Sequence, residues 1–182
     1  MTIMKKRNGF TLIELLVSAA IISGLGILLA QAFFTTTRSN TKVERLTDVK
    51  QNGEYALAVM EHMMRNSRSL AAGCTSDGST ASDSAAIVSP DGLTTTFTCR
   101  LDGDGTRIAS VGALSTGYLT GNAVTIGGSS CDADTLAFYC TSIAGIPRSV
   151  KVTFSLSQKG TPQDQFEKAS TTFHTSIGLR NQ

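Results

Sequence analysis

Hydrophobic and polar positions change their period twice along this chain of 182 residues. From Leu15 to Phe34, "LLVSAAIISGLGILLAQAFF" runs for twenty residues without a charge. At about 1.5 Å of rise per residue, a helix of that length covers roughly 30 Å, the depth of a bilayer's hydrocarbon core. Ser18, Ser23 and Gln31 interrupt its apolar character, while Gly24 and Gly26 permit a bend or the close approach of another helix. Beyond Phe34 the apolar spacing becomes three and four. Val43, Leu46, Val49, Ala56, Leu57, Met60, Met63 and Met64 form one stripe. Arg38, Lys42, Glu44, Arg45, Asp48, Lys50, Glu54, Glu61 and Arg65 supply the polar surface. Gly53 is a soft point, about 1 kcal/mol worse than alanine in an exposed helix, but the stripe resumes at once. The pattern predicts one helix from about Phe10 to about Ser69, on the order of 90 Å long, with "AAGC" at Ala71–Cys74 as its stop. Its methionines are expected to pack on a sheet.

After the loop "TSDGSTASDS" the period falls to two. "AAIVS", "PDG" and "LTTTFTCRL" read as strand, turn and strand, with Thr94, Thr96 and Thr98 on one face and Thr95, Phe97 and Cys99 on the other. "DGDG" at Asp102–Gly105 turns the chain into "TRIASV". It resembles a fragment of a calcium loop, but Arg107 follows and no glutamate closes the motif, so a tight polar turn is the better reading. "NAVTI", "TLAFYC", "SVKVTFSLS" and the terminal "TTFHTSIGLRN" are further strands, with "QKGTPQDQF" as a loop. The expected fold class is α+β, a long N-terminal helix laid across an antiparallel sheet.

Composition narrows the function classes. Gly, Ser and Thr are plentiful, there is no Trp, and charged residues make up 16% of the chain. The formal net charge is +2, of which Lys5, Lys6 and Arg7 supply three positive charges, so the chain after Gly9 carries −1. A near-neutral remainder with little aromatic surface gives scant reason for nucleic-acid binding, although Arg100, Arg107, Arg148 and Lys151 would form a basic stripe if folding clustered them. Catalysis fares worse. His62 and His174 are the only histidines, no GxSxG occurs, and "SSCDAD" at Ser129–Asp134 offers Cys131 no base. No metal-ligand spacing surrounds His62, and no cofactor is implied.

The four cysteines, Cys74, Cys99, Cys131 and Cys140, all lie beyond the apolar run and form no CxxC pair. Two disulfides in an exported domain fit them better than a zinc or redox site, with free buried thiols as the alternative. Of the three connectivities, Cys131–Cys140 as a short local loop with Cys74–Cys99 is preferred.

The N-terminal run admits three interpretations. A secretory signal would use "AQA" at Ala30–Ala32, but the apolar stretch is long for one and Glu14 lies inside it. A plain single-pass anchor explains the length, with Lys5, Lys6 and Arg7 holding the start in the cytoplasm. Neither gives Gly9, Phe10 and Glu14 a joint role. "GFTLIELLV", preceded by "KKR", resembles the prepilin-type leader of type IV pilins and type II secretion pseudopilins. That resemblance implies cleavage after Gly9, N-methylation of Phe10 by prepilin peptidase, and an assembly role for Glu14 opposite the terminal amine of a neighbouring subunit. A carboxylate at the centre of a membrane helix costs on the order of 2.5–3.5 kcal/mol on insertion scales, less near the interface, so a purpose for Glu14 is worth seeking.

The expected organisation is a leader over residues 1–9, a transmembrane and filament-core half-helix over 10–34, an amphipathic half over 35–70 and a β-rich domain over 71–182. "QNGEYALAVMEHMMRNS" and the closing strands resemble minor pilins of the PilW type and minor pseudopilins of the GspJ type. Gln31 occupies the position where many major pilins carry a helix-kinking proline. The implied role is a structural, minor subunit of a pilus or pilus-like filament, with a secretion pseudopilin, a major pilin or a tip adhesin or DNA-binding module as alternatives. Its partners would be prepilin peptidase, sister subunits and the assembly platform of the inner membrane, with the globular domain outside the cytoplasm.

Overall fold

The apolar run and the amphipathic stripe belong to one uninterrupted helix, α1 (Leu12–Arg65), in a computed structural model that describes residues 10–72, 78–103, 105–127, 130–131, 135–143, 146–160 and 169–179. The chain divides into two compact units, the first ending at Thr41 and the second starting at Lys42. In the first unit every described residue up to Asn40 is exposed. In the second, Val49, Gly53, Ala56, Met60 and Met64 are buried at spacings of four, three, four and four, the seam of a helix lying on a sheet. Met60 and Met64 are wholly buried, as the periodicity required, and Leu46, Leu57 and Met63 pack at the margin. Val43 departs from the expected stripe and is exposed. It lies six residues before Val49, a spacing that takes it off the buried seam.

The helix stops earlier than the sequence pattern implies. Asn66 N–H donates to the His62 carbonyl, and both the Ser67 N–H and its hydroxyl turn back to the Met64 carbonyl. Arg68 N–H then donates to the Val88 carbonyl, which begins strand pairing. Ser69–Ala72 is therefore a strand, β1, and not the helix end.

The remaining strands are β2 (Ser84–Val88), β3 (Thr94–Asp102), β4 (Gly105–Gly112), β5 (Thr116–Tyr118), β6 (Val124–Ile126), β7 (Leu136–Ile143), β8 (Ile146–Gln158) and β9 (Ser170–Gly178). All pair antiparallel. Among the described residues they make a five-stranded meander, β1-β2-β3-β4-β5, and a four-stranded sheet built on β8. β9 pairs along one side of β8, while β6 and β7 share its other side end to end. Ser82 and Phe138 exchange two backbone hydrogen bonds between the sheets. A second seam joins β4 to β6, where the Thr106 hydroxyl meets the Thr125 hydroxyl and the Ile126 carbonyl. Gly92 (φ 85°) and Gly103 (φ 62°) take left-handed conformations in the turns expected at "PDG" and "DGDG".

The core lies between α1 and the inward faces of the strands. Alternation along β8 buries Val150, Val152, Phe154 and Leu156 and leaves Lys151 and Ser155 exposed. The pilin-like α+β architecture expected from the sequence is the one observed, a long N-terminal helix packed on antiparallel sheet.

Candidate functional site

The first turn of α1 gathers the residues singled out for processing and assembly. Phe10 precedes the helix and is 82% exposed, whereas Gly9 lies outside the described residues. Thr11 caps the helix: its carbonyl accepts from Leu15 N–H at 3.2 Å, and its hydroxyl accepts from Glu14 N–H at 3.4 Å. Thr11 and Glu14 thus stand in the T-x-x-E spacing of a capping box, a signal legible in the sequence but overshadowed by the apolar run that follows. An acidic side chain in this turn is also favoured by the helix dipole, worth roughly 0.3–1 kcal/mol at an exposed site. Glu14 is the only charged residue from Phe10 to Phe34.

From Leu12 to Phe34 the large apolar side chains stand open, among them Leu12 (79%) and Leu29 (71%). A helix segment apolar on all sides, with its large side chains exposed among the described residues, has the surface of a segment solvated by lipid or by other helices. Its hydroxyls are already satisfied. Ser18 donates to the Leu15 carbonyl at 3.0 Å and Ser23 to Ala19 at 2.8 Å. Thr35, Thr36 and Thr37 donate likewise to Gln31, Ala32 and Phe33.

Within the second unit two neighbouring residues fix α1 to the strands. Phe173 of β9 lies so close over Gly53 that a Cβ there would overlap its ring. Asn52 accepts from Gly121 N–H at 2.6 Å through Oδ1 and donates to the Asp48 carbonyl through Nδ2. The other end of that same peptide, the Thr120 carbonyl, accepts from Arg107 Nε at 2.7 Å and from a second guanidinium nitrogen. Arg107 also pairs with Asp102 at 2.6 Å and lies over the Tyr118 ring. Gly53, read from the sequence as a soft point, is with Asn52 an anchorage. No sequence pattern announces contacts between residues so far apart in the chain.

The basic residues do not gather into one stripe. Arg100 and Arg107 stand opposite each other on β3 and β4, while Arg148 and Lys151 belong to β8 in the other sheet. Asp102 and the Thr120 carbonyl occupy Arg107, and Lys151 lies 5.7 Å from the Tyr139 ring centre. Asp102, the first residue of the calcium-loop fragment, is turned to Arg107, and Asp104 lies outside the described residues.

The cysteine connectivity differs from the preferred one. Cys99 is bonded to Cys131, which rules out both Cys131–Cys140 and Cys74–Cys99. The Cα atoms of Cys99, on β3 opposite Ile108 of β4, and of Cys131 lie 5.7 Å apart, a proximity that sequence spacing does not announce. Cys140 instead points into the core from β7 and is also disulfide-bonded, and Cys74 lies outside the described residues. With its sulfur in a disulfide, Cys131 offers no thiol nucleophile.

Residues 4–23 match the family model described as the prokaryotic N-terminal methylation motif. No curated protein and no solved structure matches the chain.

Proposed function

We propose that the chain, whose residues 4–23 match the prokaryotic N-terminal methylation motif, belongs to the type IV pilin and pseudopilin superfamily and serves as a minor subunit in a type IV pilus or pilus-like filament. Proteins of that superfamily are structural and non-catalytic, and the motif implies processing by a prepilin peptidase and assembly with other subunits. The observation that carries the reading is a single helix whose first half is apolar and exposed while its second half buries one face against the strands. Such a helix is consistent with a membrane anchor followed by an extracytoplasmic domain. In this reading residues 1–9 are removed, Phe10 becomes the methylated terminus, and residues 10–34 pass from the membrane into the filament core. Residues 35–70 and 71–182 carry the amphipathic half and the globular part, with the assembly platform of the inner membrane as the further partner.

The minor role is favoured by Gln31. Unlike proline it keeps its N–H and leaves the carbonyl four residues earlier unobstructed, and α1 runs without interruption from Leu12 to Arg65. The PilW-like and GspJ-like middle and terminal segments point the same way. Quantitative mass spectrometry of sheared filaments tests the role. A minor subunit is expected at a small fraction of the dominant pilin, and its deletion lowers filament number without altering bulk composition. Finding this chain as the most abundant filament protein would overturn the minor role and leave the superfamily standing.

A further inference from the structure

We infer that the Cys99–Cys131 bridge is a thiol-exchange switch. An incoming thiolate attacks it at Cys131 and, by opening it, frees the connection between β6 and β7 from β3 while the core stays closed. The cysteines differ in where they lie. Cys131 is exposed in the connection from β6 to β7, and Cys99 sits part-buried at the margin of the core. Cys140, bonded in another bridge, is 1% exposed, on the inward face of β7 with Phe138 and opposite Val150.

Exchange requires a thiolate to reach one sulfur and the other sulfur to leave as a thiolate, so access and the leaving thiol's pKa decide which bridge reacts. Both oppose reaction at Cys140. Its own sulfur is out of reach, and attack on its partner would expel a thiolate into apolar surroundings, where burial raises a thiol's pKa. Cys99–Cys131 meets neither obstacle. The attacking sulfur bonds to Cys131 Sγ, the bond to Cys99 Sγ breaks, and Cys99 leaves as a thiolate that water protonates. A second thiol of the reductant then displaces Cys131 from the mixed disulfide. The reductant, a small thiol or a dithiol protein, ends as its own disulfide, and the cysteine pair has gained the electrons it lost.

Opening this bridge has a local effect. β3 stays paired with β2 and β4, and β6 stays paired with β8 and joined to β4 through Thr106 and Thr125. The backbone hydrogen bonds between Ser82 and Phe138 still join the sheets. The connection carrying Cys131 is what loses its tie to β3.

The test treats the full chain in detergent with 2-mercaptoethanol or, separately, with reduced thioredoxin, a CxxC dithiol protein, and maps alkylated peptides over time. Cys99 and Cys131 should become alkylated on the order of tenfold faster than Cys140, with the 2-mercaptoethanol adduct on Cys131. Faster reaction per thiol with thioredoxin would support a dithiol protein as the reductant, and faster reaction with 2-mercaptoethanol a small thiol. After reduction the amides of Ser130 and Cys131 should exchange faster, with those of Val150–Leu156 unchanged. Cys99→Ser with Cys131→Ser should show that same exchange pattern with and without reductant. Cys140 alkylated as fast as Cys131, or the adduct on Cys99, would overturn the exchange site. Accelerated exchange along the whole of β8 would overturn the switch, because the bridge would then be holding the core.

Discussion

At Phe10, Thr11 and Glu14 one short turn starts a helix and, in the proposed role, would also serve as a processing signal. Intact-mass measurement of protein from the native host is expected to show a chain beginning at N-methylated Phe10. A chain beginning at Met1 or Phe33 would rule out prepilin processing. Glu14→Ala should leave the chain in the membrane but reduce methylation or filament incorporation, because the apolar run supports insertion without the carboxylate. Subunit ratios equal to those of the unaltered chain would exclude an assembly role for Glu14. Farther along, Gly53 is required by Phe173 and not by backbone conformation. Gly53→Ala is expected to destabilise the domain by about 1–3 kcal/mol through overpacking. Combined with Phe173→Ala the effects should be less than additive, since removing the ring removes the collision. Additive denaturant-unfolding shifts would show that the contact is not the cause.

Among the elements, legibility followed the strength of the side-chain period. β3, β8 and β9 are long enough for alternation to be counted, and the sequence places each within a few residues of its observed bounds. β1 and β5 were not legible: four residues of "SLAA" and three of "TGY" carry no alternation, and their pairing partners hold them in place. The end of α1 was set by Ser67 and by pairing of Arg68 with Val88, not by the helical rhythm that continues past it. Cysteine connectivity was illegible because proximity in sequence favoured Cys131–Cys140, whereas the fold brings Cys131 beside Cys99 across a sequence separation of 32. Non-reducing peptide mapping is expected to return Cys99 linked to Cys131, with Cys140 linked to Cys74, the one cysteine left. Cys99→Ser with Cys131→Ser opens a bridge spanning a sequence separation of 32 and should cost stability, by chain entropy about 3–4 kcal/mol at most. Mapping that returned Cys131 with Cys140 would reject this topology.

For the whole molecule, the back-bonded hydroxyls of α1 bear on how a subunit changes its surroundings. In the role proposed above, the chain would pass between two solvents, hydrocarbon tails and the side chains of its neighbours. Ser18 and Ser23 carry their acceptors with them, so neither hydroxyl needs a new partner during the transfer. The large apolar side chains exchange one oily contact for another. From Leu12 to Phe34 only the Glu14 carboxylate and the Gln31 amide remain as side-chain polar groups that register which solvent they are in. In that role, partition between membrane and fibre is expected to be governed by these two positions on an otherwise indifferent surface, so substitutions there should shift it far more than exchanges among the surrounding leucines and isoleucines.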